Sequence, residues 1–120
     1  MTQPTILVSM NTNILGSSFE KVKKFKGASM VMFGSSWSVP SQLILERLKG
    51  KSDGLVLSYV DTDVDPYQAD RLDVISLPCF VFFVNGEEVR RVLGAVSVDE
   101  LLEEFVILKN EFNDLEEGGR

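Results

Sequence analysis

The chain has 120 residues, 44% of them hydrophobic and 25% charged, which suits one globular domain with a real core. It contains no histidine and a single cysteine, Cys79. Those absences exclude a Ser-His-Asp triad, a Cys-His dyad, an internal disulfide and any histidine or multi-cysteine metal site within one chain, so neither a metal nor a cofactor is expected. The net charge of −6 disfavours nucleic acid as a partner. No apolar run reaches membrane-spanning length, and the stretch from Met1 to Thr5 lacks the basic start and apolar core of a secretory leader; a cytoplasmic location, away from the membrane, is the expectation.

In chain order, Ile6 to Met10 reads as a short strand, and Asn11 to Ser18 supplies turn and cap residues. Phe19, Val22 and Phe25 then recur at helical spacing until Gly27 stops the helix. The lysines among them (Lys21, Lys23, Lys24, Lys26) read as a solvated helix face rather than a basic binding patch. Ala28 to Phe33 is a buried strand, broken by Gly34-Ser-Ser. Ser38 can cap a helix running through Leu43, Ile44, Arg47 and Leu48 to Gly50, and Pro40 fits its first turn, where N–H groups are free anyway.

A strand follows over Leu55 to Val60, and Pro66 opens a short helix to Leu72. Pro78 precedes the strand Cys79-Phe-Val-Phe-Phe-Val. Asn85-Gly86 is a strong hairpin signal, returning the chain antiparallel over Glu88 to Leu93. Ser97 and Glu100 form a capping box for a last helix. The order is β-α-β-α-β-α-β-β-α, an α/β fold with a mixed central sheet flanked by helices, in a single domain spanning residues 1–120. Asp61, Asp63 and Asp65 have the alternation of a calcium loop. Its sixth position, however, is Pro66 where glycine is needed, and its twelfth is Leu72 where a bidentate glutamate is needed, so they read as strand-end and turn residues.

The last helix carries most of the charge. From Ser97 to Arg120 there are eight acids and two bases, and residues 109–120 form an acidic helix extension and tail. Val98, Leu101, Phe105, Leu108, Phe112 and Leu115 follow a 3-4 heptad spacing. The first four can pack on the sheet. Phe112 and Leu115 reach beyond it, towards either a homodimer contact or a fold-back onto Ile6 to Met10.

Four segments, in order, resemble the thioredoxin family. Phe33-Gly-Ser-Ser-Trp37-Ser38-Val39-Pro40-Ser41 is similar to the active-site segment, where an aromatic strand end leads into Trp-Cys-Gly-Pro-Cys. Val60-Asp-Thr-Asp63 is similar to the strand end after the active-site helix. Ser76-Leu77-Pro78-Cys79-Phe80 is similar to the segment holding the family's cis-proline. Phe82-Phe-Val-Asn-Gly86, with Leu93-Gly94-Ala95, is similar to the hairpin and the glycine of the last strand. The likeness spans Ile6 to Phe105 and implies a thioredoxin fold.

The departures from the family bear on chemistry. Its nucleophilic and resolving cysteines fall on Ser38 and Ser41. A thiol at a helix N-terminus is readily ionised near neutral pH; a serine hydroxyl is not, and it cannot form a disulfide. The family's buried relay aspartate falls on Met32, its lysine partner on Tyr59 or Ser58, and its helix-kinking proline near Glu46. What remains of the family's site is an apolar groove for an extended peptide, at Trp37, Val39, Pro40, Leu77, Pro78, Gly94 and Ala95. Three functions follow: a redox-inactive protein-binding module, a protein-disulfide reductase whose cysteines have been replaced by serine, or the N-terminal thioredoxin-like domain of a multidomain monothiol glutaredoxin. Cys79 is either a small buried strand residue or a displaced reactive thiol beside the groove.

Overall fold

The computed structural model describes residues 13–51 and 54–118, with residues 112–118 described as helix backbone only. The expected strand at Ile6 to Met10 and the side-chain contacts of Phe112 and Leu115 lie outside these residues. The described elements are α1 (Phe19–Lys24), β1 (Ala28–Gly34), α2 (Val39–Leu48), β2 (Val56–Asp61), α3 (Pro66–Arg71), β3 (Cys79–Val84), β4 (Glu87–Leu93) and α4 (Val98–Gly118). Among them no helix is long and apolar enough to cross a membrane.

The four strands form one mixed sheet in the order β2-β1-β3-β4. β1 runs parallel to β2, with Met32 opposite Tyr59, and antiparallel to β3, with Phe33 opposite Cys79. β3 and β4 are antiparallel, with an irregularity at Phe82 and Phe83. Every residue of β1 is buried, as a continuous apolar run between two partners and under helices on both faces must be. β4 lies at the sheet edge. Glu87, Glu88, Arg90 and Arg91 line it with charge, which discourages pairing with another chain.

Strand alternation divides the core in two. On one face Met30, Met32, Leu57, Phe80 and Phe82 meet α2 through Ile44, Leu45 and Leu48, and α4 through Val98, Leu101, Phe105 and Leu108. The first four residues of the heptad seam therefore pack on the sheet. On the other face Val31, Phe33, Val60, Val81 and Phe83 meet Val22 of α1 and Ala69 of α3. The capping box forms as the spacing predicts: Glu100 N–H donates to Ser97 Oγ at 3.0 Å, and Ser97 N–H to Glu100 Oε1 at 3.3 Å.

Helix α1 is shorter than its apolar spacing predicts. It ends at Lys24, and Phe25 turns to extended backbone two residues before Gly27. The reason lies in the β3–β4 hairpin. Asn85 N–H donates to Gly27 O at 3.0 Å, and Asn85 Oδ1 accepts from Gly27 N–H at 2.9 Å. Tertiary bonds thus satisfy the backbone that a longer helix would have used.

Candidate functional site

The carboxyl end of β1 leads into Gly34, Ser35, Ser36 and Trp37, and α2 starts immediately afterwards. Ser38 is the N-cap of α2, with extended backbone, and its Oγ accepts from Ser41 N–H at 3.3 Å. Ser41 Oγ donates to Ser38 Oγ at 2.8 Å. Both serines are buried, Ser41 completely. Pro40 sits in the first turn, as its missing N–H allows. Gln42 reaches back to donate to Ser35 O at 2.9 Å, closing the loop on the helix.

The direction of the bond between the two serines follows from burial. The pair shares one hydrogen bond, so one hydroxyl hydrogen is left over. If Ser38 donated inward, the leftover hydrogen would belong to fully buried Ser41 and would have no partner among the described residues. A buried unpaired donor costs about 1–3 kcal/mol. Ser41 therefore donates, and Ser38, accepting twice, keeps a hydrogen free to donate away from the helix.

Beneath the pair, Gly34 lets Ser41 and Tyr59 approach one another. A Cβ there would stand 2.9 Å from Ser41 Cβ and 3.1 Å from Tyr59 Cε1. Met32 is fully buried in the apolar core, directly across the ladder from Tyr59. Tyr59 shares the face of Met32, whereas Ser58 is buried with its hydroxyl unpaired among the described residues. The Tyr59 backbone is held by one side chain. Asn13 Nδ2 donates to Tyr59 O at 2.6 Å, and Asn13 Oδ1 accepts from Tyr59 N–H at 2.7 Å. The Tyr59 hydroxyl is buried without a hydrogen-bond partner among the described residues. Burial, then the charge of Asp61, pushes its pKa up; Gln42 offsets part of the rise, and Asp63 adds to it. The chain has no histidine, and among the described residues no carboxylate is hydrogen-bonded to Ser38.

On the surface beside the serines, Trp37 and Val39 are exposed, Trp37 by 70%. An open groove of about 360 Å³ runs from Trp37 to Leu77. Its lining includes Thr62, Pro66, Ala69, Asp70, Val74, Ile75 and Ser76. The Leu77–Pro78 peptide bond is cis. Pro78 is buried, and its carbonyl accepts from Gly94 N–H at 2.9 Å, which ties the end of β4 to the proline loop. Of the residues expected in a groove, Trp37 and Leu77 line this one. Val39 and Pro40 are exposed on the first turn of α2, and Ala95 is exposed beyond Gly94. The wall built by α3 and Ile75 was not foreseen. Its signal was Ile75 itself, an isoleucine without an obvious partner ahead of Ser76-Leu77-Pro78.

Cys79 is fully buried between β1 and β4. Burial pushes its pKa up; Arg91 partly offsets the rise, and Glu88 adds to it. Arg91 is the cation that sequence distance concealed; the β3–β4 register sets it opposite Val81, two positions along from Cys79. It is itself held by Glu88 in a two-pronged bond at 2.7 Å. These surroundings belong to the bland alternative, a small structural strand residue. Asp61 Oδ1 accepts from Asp63 N–H at 2.9 Å, the turn role expected for these aspartates.

A mixed sheet whose first strand feeds a capped helix, with a cis-proline loop set beside the cap, defines a thioredoxin-fold protein, here with a hydroxyl pair at the cap. Comparisons with known proteins agree. The thioredoxin of Mycolicibacterium smegmatis is 32% identical over 103 residues, covering 81% of this chain and 85% of that protein. The thioredoxin of Staphylococcus saprophyticus is 33% identical over 81 residues, 64% of this chain and 78% of its own length. Among solved structures, a mutant thioredoxin from Halobacterium salinarum superposes with a TM-score of 0.69 at 21% identity, covering 74% of this chain and 80% of that one. Fasciola hepatica thioredoxin superposes with a TM-score of 0.64 at 22% identity, covering 90% and 93%. No family model matches the chain. The chain belongs to the thioredoxin family.

Proposed function

We propose that this protein is a redox-inactive member of its family, a module that holds an extended protein segment in the groove beside Trp37 without exchanging disulfides. The observation that carries this reading is the Ser38–Ser41 pair, buried, joined by a hydrogen bond from Ser41 Oγ to Ser38 Oγ and bonded to no carboxylate among the described residues. A serine hydroxyl has no ionised form near neutral pH, and the pair cannot be oxidised to a disulfide. The same pair remains competent to bind. Ser38 has a hydrogen to donate towards an incoming carbonyl, and exposed Trp37 and half-buried Leu77 offer apolar contact on either side. Extended segments are commonly held this way, by main-chain hydrogen bonds with side chains in flanking pockets.

The test is reduction of insulin by dithiothreitol. The chain should leave the rate at its uncatalysed value, and clear acceleration would sink the reading. The names of the relatives favour a second reading, a disulfide reductase whose cysteines have been replaced. Restoring both thiols, Ser38→Cys with Ser41→Cys, should permit an internal disulfide because the two side chains already touch. Catalysis should stay weak, because Met32 supplies no carboxylate for proton transfer. Full turnover in the double variant would favour the second reading.

A further inference from the structure

Charge is segregated around the groove. Asp70 is its one charged wall residue, and neither lysine nor arginine lines it among the described residues. Asp61 and Asp63 flank the wall residue Thr62, and Asp65 precedes the wall residue Pro66. None of these four aspartates is in an ion pair among the described residues. The cations near α3 are committed elsewhere. Arg71 lies 5.6 Å over the Tyr67 ring and, with Lys23, lines a separate cleft beside Phe19 and Phe83. Asp61, Asp63, Asp65 and Asp70 thus give the groove a rim of negative charge without an ion-pair partner among the described residues, and Val74, Leu77 and Ile75, the last 91% exposed, give its lining an apolar part.

We infer that the groove's occupant is an extended protein segment carrying lysine or arginine next to apolar residues, its cation meeting Asp70 and its apolar side chains covering Ile75 and Trp37. This rests on the docking reading above and names the chemistry of the partner. A neutral or acidic segment could cover the same apolar wall, but an acidic one would bring like charge against the Asp61–Asp70 rim. Exposed charges of this kind act through a screened field, so the preference must weaken as salt rises.

A displayed library of random dodecapeptides, selected on the wild-type protein and counter-selected on Trp37→Ala, tests this. The expected result is enrichment of lysine and arginine beside apolar positions in the Trp37-dependent binders. The best binder should then lose about tenfold in affinity for Asp70→Asn with Asp63→Asn, and a similar amount on wild type at 0.5 M salt. Trp37-dependent binders with no basic enrichment, unaffected by those substitutions, would overturn the charge preference while leaving the docking reading in place. A selection yielding no Trp37-dependent binder would overturn both.

Discussion

The two ends of the sheet are built to opposite ends of a scale. At the hairpin end, Asn85 and Gly86 both take positive φ, the turn closes against α1, and Asn85 binds Gly27 through both its backbone and its side chain. At the opposite end, where β1 finishes, the bonds Thr62 N–H to Gly34 O and Gly94 N–H to Pro78 O hold the loops together, and large apolar side chains face solvent. The difference separates an end closed on itself from an end that presents side chains to solvent. One end spends its polar groups on itself, while the other keeps a hydroxyl, a tryptophan and four aspartates available.

Two glycines give a matched test of that contrast. Gly86 and Gly94 have nearly the same φ, 83° and 86°. A Cβ at Gly86 would collide with the Lys23 carbonyl oxygen, whereas one at Gly94 meets nothing within 4 Å. Gly86→Ala should cost about 3 kcal/mol or more, from backbone strain plus the collision. Gly94→Ala should cost about 1–2 kcal/mol, the strain alone. Urea unfolding followed by circular dichroism measures both, and equal losses would break the contrast.

A smaller effect is expected at the cap. Ser38→Ala should cost about 1 kcal/mol, because it leaves the Ser41 N–H and hydroxyl without an acceptor. Ser38→Gly should cost only a few tenths by the usual ranking of caps. Here, however, Ser41 loses its partner as well, so a loss in Ser38→Gly close to that of Ser38→Ala is the expected sign that the buried pair, and not the cap alone, sets the cost.

Alkaline pH is the next handle. The pKa values of Tyr59 and Cys79 are both raised in the fold, chiefly by burial. The unfolded chain therefore ionises first. Their contribution to stability is whole below the unfolded values, about 8.5 for the thiol and about 10 for the phenol, and is lost as pH rises through and beyond them. The urea midpoint should fall between pH 7.5 and 10.5, and the fall should shrink in Tyr59→Phe. An undiminished fall in that variant would assign the effect to other groups. The smallest change belongs to Trp37→Ala, which removes an exposed ring and should shift stability by no more than about 0.5 kcal/mol. A larger loss would mean that the tryptophan supports the fold and is not held free for a partner.

Local chemistry made much of this legible in advance. Asn85-Gly86 announced a tight hairpin, Ser38 a cap, and Ser97 with Glu100 a capping box, because each depends on residues within a few positions of one another. What escaped reading depends on register. The charge of Arg91 is felt by Cys79 only once β4 is laid beside β3, and Asn13 reaches Tyr59 across 46 positions of sequence. The end of α1 was misplaced for the same reason, since the hydrogen bonds that replace its last turn come from the hairpin tip. The groove was half visible. Trp37 and Leu77 came from the family likeness, while the acidic wall required knowing how α3 lies against the loop holding Ile75.

The N-cap of α2 also bears on what a serine and a cysteine each bring to the same position. In the family to which this chain belongs, the position filled here by Ser38 carries the nucleophile, and the same position must begin a helix. A sulfur suits the first duty and accepts hydrogen bonds weakly; a hydroxyl oxygen suits the second and is among the best caps there are. Selection for reactivity and selection for folding therefore pull on one atom in opposite directions. Once turnover is no longer selected, exchanging sulfur for oxygen is a downhill step in stability, open to a lineage at once and with the rest of the scaffold unchanged. An oxygen at that position therefore favours the start of the helix as much as it disfavours thiol exchange.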